Sequence, residues 1–308
     1  MAVPVSSQQF KSVVSPILNE VVDSVFAQRT EEWKQVFKEK PGIDRAYHEF
    51  PVLYGMPAVP EIPDGTAVTY STFGQAYIYR IVYKVYGMGF ALTKVLVEDG
   101  DHIRIGTIGA EQLAQAYTET EEVLCANILN RAFNSAYTFG DGVALVATNH
   151  PLIIGGNYSN LLATPAALSQ TSLEQLLIQI RNAVDYTNKR IRVTPLKIVT
   201  GPSNVFQAEV LLKTVLRAGT ANNDPNPVLS LKMLPEGQAN LSRITSTTMW
   251  GIQTDAAGSP GFVLLTRRRQ DKSFEGDFDT DSMRYKVTGR YSPGVVETAR
   301  CFYATPGL

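Results

Sequence analysis

From Ala110 to Tyr137 the chain contains neither glycine nor proline. A helix over that run would be about 42 Å long at 1.5 Å per residue. Leu113, Ala116, Tyr117, Thr120, Val123 and Leu124 form one apolar stripe at helical spacing. Ile128, Leu129, Ala132, Phe133 and Ala136 continue it as a wider stripe, rotated from the first, so different elements should cover the two halves. Any fold for this sequence must be built around such a spine. Glu119, Glu121 and Glu122 fall off the stripe and read as a solvated face rather than a metal site.

Around the spine the pattern is mixed. Pro16 to Phe37 is partly helical in spacing and reads as an arm. Four prolines between Pro51 and Pro63 force an extended or turning path, and Pro63-Asp64-Gly65 signals a turn. The runs Ala67 to Phe73 and Ala76 to Tyr86, separated by Gly74-Gln75, predict a long hairpin. In its second strand Tyr77, Tyr79, Ile81, Tyr83 and Val85 share one face, and Ile78, Arg80, Val82, Lys84 and Tyr86 the other, so neither face is simply polar. A bare two-stranded ribbon is marginal in water, so this one must lean on its own domain or on a neighbouring chain.

Further on, Thr171 and Ser172 with Glu174 and Gln175 offer capping boxes for a helix bearing Leu173, Leu176, Leu177, Ile180 and Val184. Leu196 to Thr200 reads as a buried strand, and Asn204 to Arg217 as a helix stopped by Ala218-Gly219. Strand-like runs follow near Val228 to Leu234, Ile244 to Gln253, Phe262 to Arg268, Tyr285 to Arg290 and Val295 to Tyr303. The class is α+β, with no βαβ repeat.

Charge and chemistry exclude more than they nominate. Lys plus Arg number 28 against 29 Asp plus Glu, so no global field draws the chain onto nucleic acid or an anionic membrane. No run approaches a membrane span, no targeting segment leads the chain, and two distant cysteines, Cys125 and Cys301, fit a reducing compartment as buried thiols. His48, His102 and His150 stand at no joint metal-ligand spacing. Asp277, Asp279 and Asp281 imitate a calcium loop, but Ser282 and Thr288 replace its glycine and closing glutamate. Gly87-Met88-Gly89 and Gly140-Asp141-Gly142 lack the third glycine of a dinucleotide fingerprint, and no nucleophile elbow is present. No cofactor or metal is expected. Arg267-Arg268-Arg269, near Lys272, is the sharpest basic cluster, set among Asp271, Glu275 and Asp277. It reads as a solvated strand end, or as a contact for phosphate or a neighbour's carboxylates.

Several segments, in one order, resemble the major capsid proteins of tailed phages with the Hong Kong 97 fold, which encapsulin compartments and the herpesvirus capsid floor share. They are Thr93 to Asp101 before the spine, Asn130-Arg131-Ala132-Phe133 near its end, Asp141-Gly142, Ala147-Thr148-Asn149-His150-Pro151, Leu211-Leu212-Lys213 and Arg217 to Asp224. The resemblance spans nearly the whole chain. It implies an N-terminal arm (1–45), an extended loop hairpin with flanks (46–95), a peripheral domain (96–150 with 274–308) holding the spine helix 110–137, and an axial domain (151–273).

In the family the extended loop lies across the neighbouring subunit. The resemblance therefore nominates Tyr77, Tyr79, Ile81 and Tyr83 as inter-subunit contacts, with Arg80 and Lys84 beside them; Arg267, Arg268 and Arg269 join them as candidates on their charge alone. It implies a subunit that assembles with itself as pentamers and hexamers into an icosahedral shell, made in the host cytoplasm and enclosing double-stranded DNA held non-specifically. A portal and a decoration protein are further implied partners, and the short arm points to a separate scaffolding protein. Lys84 has no identifiable crosslinking Asn or catalytic Glu, so no covalent crosslink is expected. An encapsulin-like compartment is the alternative of the same fold. A soluble α+β enzyme is the alternative of another class, which a deep pocket of perturbed titratable groups would favour.

Overall fold

The computed structural model describes residues 7–56, 59–216, 224–256, 261–277 and 282–307. Arg217 to Asn223, together with Asp279 and Asp281 of the acidic turn, lie outside the described residues. The helices are α1 (Ser7–Gln28), α2 (Lys94–Glu98), α3 (His102–Asn130), α4 (Gln170–Arg181), α5 (Val205–Lys213), α6 (Pro227–Ser230) and α7 (Thr298–Cys301). The strands are β1 (Lys38–Pro41), β2 (Tyr47–Tyr54), β3 (Gly74–Val82), β4 (Lys84–Leu92), β5 (His150–Pro151), β6 (Asn157–Tyr158), β7 (Thr194–Thr200), β8 (Gln238–Asn240), β9 (Trp250–Asp255), β10 (Phe262–Gly276), β11 (Met283–Val295) and β12 (Phe302–Thr305).

Helix α3 is the expected spine, displaced toward the N-terminus. It has 29 residues, so its length of about 43 Å matches the expectation. It begins before Ala110 because Gly106 and Gly109 serve as contact points rather than breakers. A Cβ at 106 would make only ordinary contact, 3.4 Å from Leu18 and Leu92, whereas one at 109 would crowd the Phe90 ring at 3.2 Å, so there glycine lets β4 approach closely. It stops at Asn130, whose side chain donates to the Arg243 carbonyl (3.0 Å) and accepts from the Thr245 N–H (2.9 Å). The chain then turns, and the Val146 N–H bonds the Ala132 carbonyl. The buried stripe is Gly106, Ala110, Leu113, Ala114, Tyr117, Thr118, Glu122, Cys125, Ala126 and Leu129. This corrects the predicted stripe: Val123 is exposed and Glu122 is inside.

Helix α1 covers part of that stripe. Val14, Leu18 and Val22, four residues apart, are buried in the core with α3, β10 and β11. Each contributes about 1.5–3 kcal/mol by leaving water. Lys272 on β10 grips α1 through the Asn19 carbonyl and the Asp23 carboxylate, and the Tyr285 hydroxyl donates to Asn19 Oδ1 at 2.9 Å.

Two four-stranded sheets carry the two main cores. The first has the order β1-β10-β11-β4 and packs on α1 and α3. The second has the order β12-β9-β7-β8 and packs on α4 and α5 around Leu173, Leu176, Leu177, Ile180, Ile198, Trp250 and Tyr303. The sheet registers divide the chain differently from the expected boundary at 273. Strand β10, from Phe262, belongs with the spine sheet, whereas β12 pairs antiparallel with β9 in the other sheet.

Three local expectations change. Helix α4 is capped by Ser169, which forms a capping box with Ser172, rather than by Thr171 or Ser172. The run near 228–234 begins as the short helix α6, because Asn226 caps it through the Val228 N–H and Pro227 sits in its first turn. The predicted hairpin is rearranged: 67–73 forms no strand, and the Tyr-rich run breaks at Tyr83 into β3 and β4, which join different sheets. Strand β3 pairs with β2, from Tyr47↔Val82 to Tyr54↔Gly74, and β4 pairs with β11.

Candidate assembly surface

Strand β3 presents two unlike faces. Tyr79 (1% exposed), Ile81 and Tyr83 point into the chain's own interior, Ile81 and Tyr83 clustering with Val263 and Leu265. Tyr77 is half-buried; its hydroxyl donates to the Pro151 carbonyl at 2.9 Å and its ring meets Tyr186 edge-on at 5.5 Å. This face can sit so close because glycines lie beneath it. A Cβ at Gly140 would fall 2.6 Å from the Ile78 carbonyl oxygen and 2.9 Å from the Tyr79 ring. The face nominated for a neighbour is thus already covered within this chain. Ile78, Arg80 and Val82, with Lys84 at the start of β4, form the outward face. There Arg80 makes two bonds to Glu49 Oε1 (2.9 and 2.7 Å) and stacks on Tyr47 at 4.5 Å.

The larger exposed apolar surface lies in the extended loop that the resemblance implies, at residues the sequence did not single out. Residues 59–73, which connect β2 to β3, hold no strand or helix, and Val59 (91% exposed), Val68, Tyr70 (94%) and Phe73 stand in solvent. The alternation of 67–73 suggests a strand paired with 76–86, but that partner pairs with Tyr47–Tyr54 instead and leaves these apolar side chains uncovered. Such surface on an extended segment marks an interaction site rather than a core element.

The arginine run is spoken for within the chain. Arg267 donates to the Arg45 carbonyl at 2.9 Å, Arg268 pairs with Asp271 at 2.9 Å and reaches Thr288 Oγ1 at 3.1 Å, and Arg269 pairs with Glu39. The pairing of β10 with β11 is irregular here, with register shifts between Thr266 and Arg268 and between Arg268 and Asp271. Arg267 and Arg269 hold β1 and the turn after it against β10.

The acidic residues of α3 form a junction, not a solvated face. Glu122 Oε2 accepts the Trp33 N–H at 3.0 Å, and burial pushes its carboxyl up. Glu119 pairs with Arg243 (2.6 Å from Nη2 to Oε2) and Arg29 (3.6 Å), and the Arg243 bond holds its carboxyl down. Glu32, from the 3₁₀ turn Glu32–Gln35, accepts the Ser242 N–H and hydroxyl, both at 2.8 Å. Glu121 is raised to about 7, first by burial and then by Glu31, with Glu39 and Glu122 adding to it and Arg269 opposing. Among the described residues no group of three or more His, Cys, Asp or Glu is placed to hold a metal ion, and no helix is long and apolar enough to cross a membrane. The clefts on this surface are shallow and mixed; the one beside β2, about 420 Å³, is lined by Leu53, Met56, Tyr186, Glu297 and Arg300 among others.

A spine helix on a long antiparallel ribbon, a second sheet domain and an exposed apolar loop define a subunit built to meet copies or partners. Residues 81–305 match the family model described as phage capsid protein, and the chain belongs to that family. No curated protein sequence matches it. Among solved structures, the capsid of cyanophage P-SCSP1u is similar with a TM-score of 0.54 at 10% identity, over 90% of this chain and 88% of that one. A chain of Microbacterium phage Oxtober96 gives 0.51 at 12% identity, over 89% and 90%. A phage-related protein of Bordetella bronchiseptica RB50 gives 0.50 at 12% identity, over 95% and 96%. At such identities the likeness is one of fold, the Hong Kong 97 type. As a member of the family the chain is a structural subunit that self-associates into a virion shell, not an enzyme.

Proposed function

We propose that this chain is the major head subunit of a tailed phage, assembling as pentamers and hexamers into an icosahedral shell around double-stranded DNA. The observation that carries the reading is the segment 59–73, whose Val59, Val68, Tyr70 and Phe73 find no cover among the described residues of their own chain. A neighbouring subunit supplies that cover, and the outward face of β3, with Ile78, Arg80 and Val82, widens the contact together with Lys84 at the start of β4. The part built on α3 is the peripheral domain and the part built on α4, α5 and β7 the axial domain. Each contact is modest, but a subunit engaging several neighbours at once gains from effective concentration. The near-balanced charge, 28 basic against 29 acidic residues, suits a wall that encloses DNA without holding it tightly. Assembly takes place in the host cytoplasm, with scaffolding, portal and decoration proteins as the partners.

Negative-stain microscopy with light scattering on the purified chain tests this. Closed shells, or rings of five and six, are the expected result. A uniform monomer that stays monomeric with a scaffolding partner present would overturn it.

A further inference from the structure

Beneath strand β3 lies a buried chain of polar groups that the assembly surface does not use. His150 Nδ1 is 2.6 Å from Asp141 Oδ2, and His150 Nε2 is 3.0 Å from Asn160 Oδ1. Thr298 Oγ1 donates to the same Asp141 Oδ2 at 2.9 Å, the Tyr79 hydroxyl is 2.8 Å from Thr298 Oγ1, and the Thr298 N–H points to the Tyr79 oxygen at 3.4 Å. All five side chains are buried, His150, Asn160, Thr298 and Tyr79 almost completely.

The bonding fixes where the protons sit. Three carbonyl oxygens, of Leu145 (2.7 Å), Thr298 (3.2 Å) and Phe302 (3.0 Å), surround Asn160 Nδ2, and Asn160 Oδ1 accepts the Ala147 N–H at 2.9 Å. The Asn160 oxygen therefore faces His150, so Nε2 must carry a hydrogen. One further proton lies between Nδ1 and Asp141. The Thr298 hydroxyl has a single hydrogen, given to Asp141, so it accepts that of Tyr79. With one shared proton every group in the chain is satisfied. Removing it sets the Nδ1 lone pair against a carboxylate, and adding a second gives Asp141 a hydrogen where Thr298 and the Val143 N–H (3.3 Å to Oδ1) already donate.

We propose that the single proton shared by His150 and Asp141 latches strand β3 to the turn after α3, so that gaining or losing a proton there releases the strand. Among the described residues strand β3 pairs only with β2, so its hold on the body depends on side chains, with Tyr79 joined to the polar chain, Ile81 packed on Val263 and Leu265, and Tyr77 bonded to Pro151. The groups facing Asp141 are the Tyr77 and Tyr79 phenols from β3 and the Cys301 thiol from α7. Burial first, then the Asp141 charge, raises both phenols; burial, then Glu297 and Asp141, raises the thiol. All three stay neutral through mid-range pH. The next charges out, Glu297 and Arg300, pair with each other at 3.0 Å. The latch belongs to the single chain, assembled or not.

Hydrogen exchange read by mass spectrometry on the full chain between about pH 4 and 9, corrected for intrinsic exchange, tests the proposal. In the wild type, protection of residues 74–82 should fall about tenfold or more on leaving a mid-range plateau, while β10 and β11 stay protected. In Asp141→Asn the carboxamide nitrogen replaces Oδ2, donating one hydrogen to a neutral Nδ1 and the other to Thr298 Oγ1, whose own hydrogen turns to the Tyr79 oxygen; the chain then needs no shared proton, so the loss at high pH should disappear. Thr298→Val, which cuts Tyr79 from the pair, should leave 74–82 weakly protected at every pH. Wild-type protection of 74–82 that does not vary with pH, or that falls only together with β10 and β11, overturns the proposal even if Asp141→Asn fails to fold. So does an unchanged pH dependence in that variant.

Discussion

Gly294 faces Ile81 across the junction of β11 and β3 so closely that a Cβ at 294 would lie 2.6 Å from Ile81 Cγ1. Ile81 is buried and packs with Val263 and Leu265, so it has little room to retreat. Gly294→Ala should therefore destabilise the chain by about 1–3 kcal/mol through overpacking. Urea unfolding followed by circular dichroism measures this, and a second substitution, Ile81→Val, should restore part of the loss.

Glu121 makes stability depend on pH in a defined direction. Its carboxyl is raised from 4.5 in the unfolded chain to about 7 in the fold, so between those values the native state binds the extra proton. The stabilisation is fully present below about pH 4.5 and is lost as pH rises through about 7. Glu121→Gln should raise the melting temperature by a few degrees at pH 8 and by little at pH 5. Equal shifts at both pH values would refute the assignment. The wild-type–variant difference is the quantity to follow, because Glu119 and Asp185, both held low, act in the opposite sense.

Assembly and folding should separate along the extended segment. The double substitution Tyr70→Ser with Phe73→Ser removes exposed apolar surface, so it should leave the melting temperature within about a degree while reducing shell yield in sedimentation. Tyr79→Ser, by contrast, empties a buried site and should cost about 3–5 kcal/mol of stability. Normal shells from the Tyr70/Phe73 variant would move the inter-subunit contact elsewhere.

Cys125 and Cys301 are both free and fully buried, and burial raises both thiols well above their usual range. Neither should react with a thiol-disulfide reagent in the native chain, and both should react at once in denaturant. Rapid native labelling would mean that the core around α3 or α7 opens readily.

The spine was legible in the sequence because a long run of helix formers admits little else. Its start lies earlier than the glycine-free run because helix-poor Gly106 and Gly109 are held by tertiary packing, the latter close under the Phe90 ring. The alternation of 76–86 identified a strand but not its partner, since pairing with Tyr47–Tyr54 is a long-range choice that no local period records. With apolar residues on both faces, nothing in the pattern said that Tyr79 goes in and Ile78 out. Glu122 was misread because its partner, the Trp33 N–H, comes from a segment 89 positions away. The family resemblance named the extended loop, yet the exposed side chains of 59–73 emerged only when the apolar surface was placed in three dimensions.

The loop bearing Tyr70 and Phe73 also has a kinetic meaning. An irregular segment must be immobilised when it docks, so the first encounter between two subunits bears that ordering cost while gaining only one contact. Later subunits meet partners whose loops are already in place. Shell initiation should then be slow and growth fast, giving a lag that depends steeply on concentration, and shortening the loop would alter how many shells begin more than how firmly each one holds.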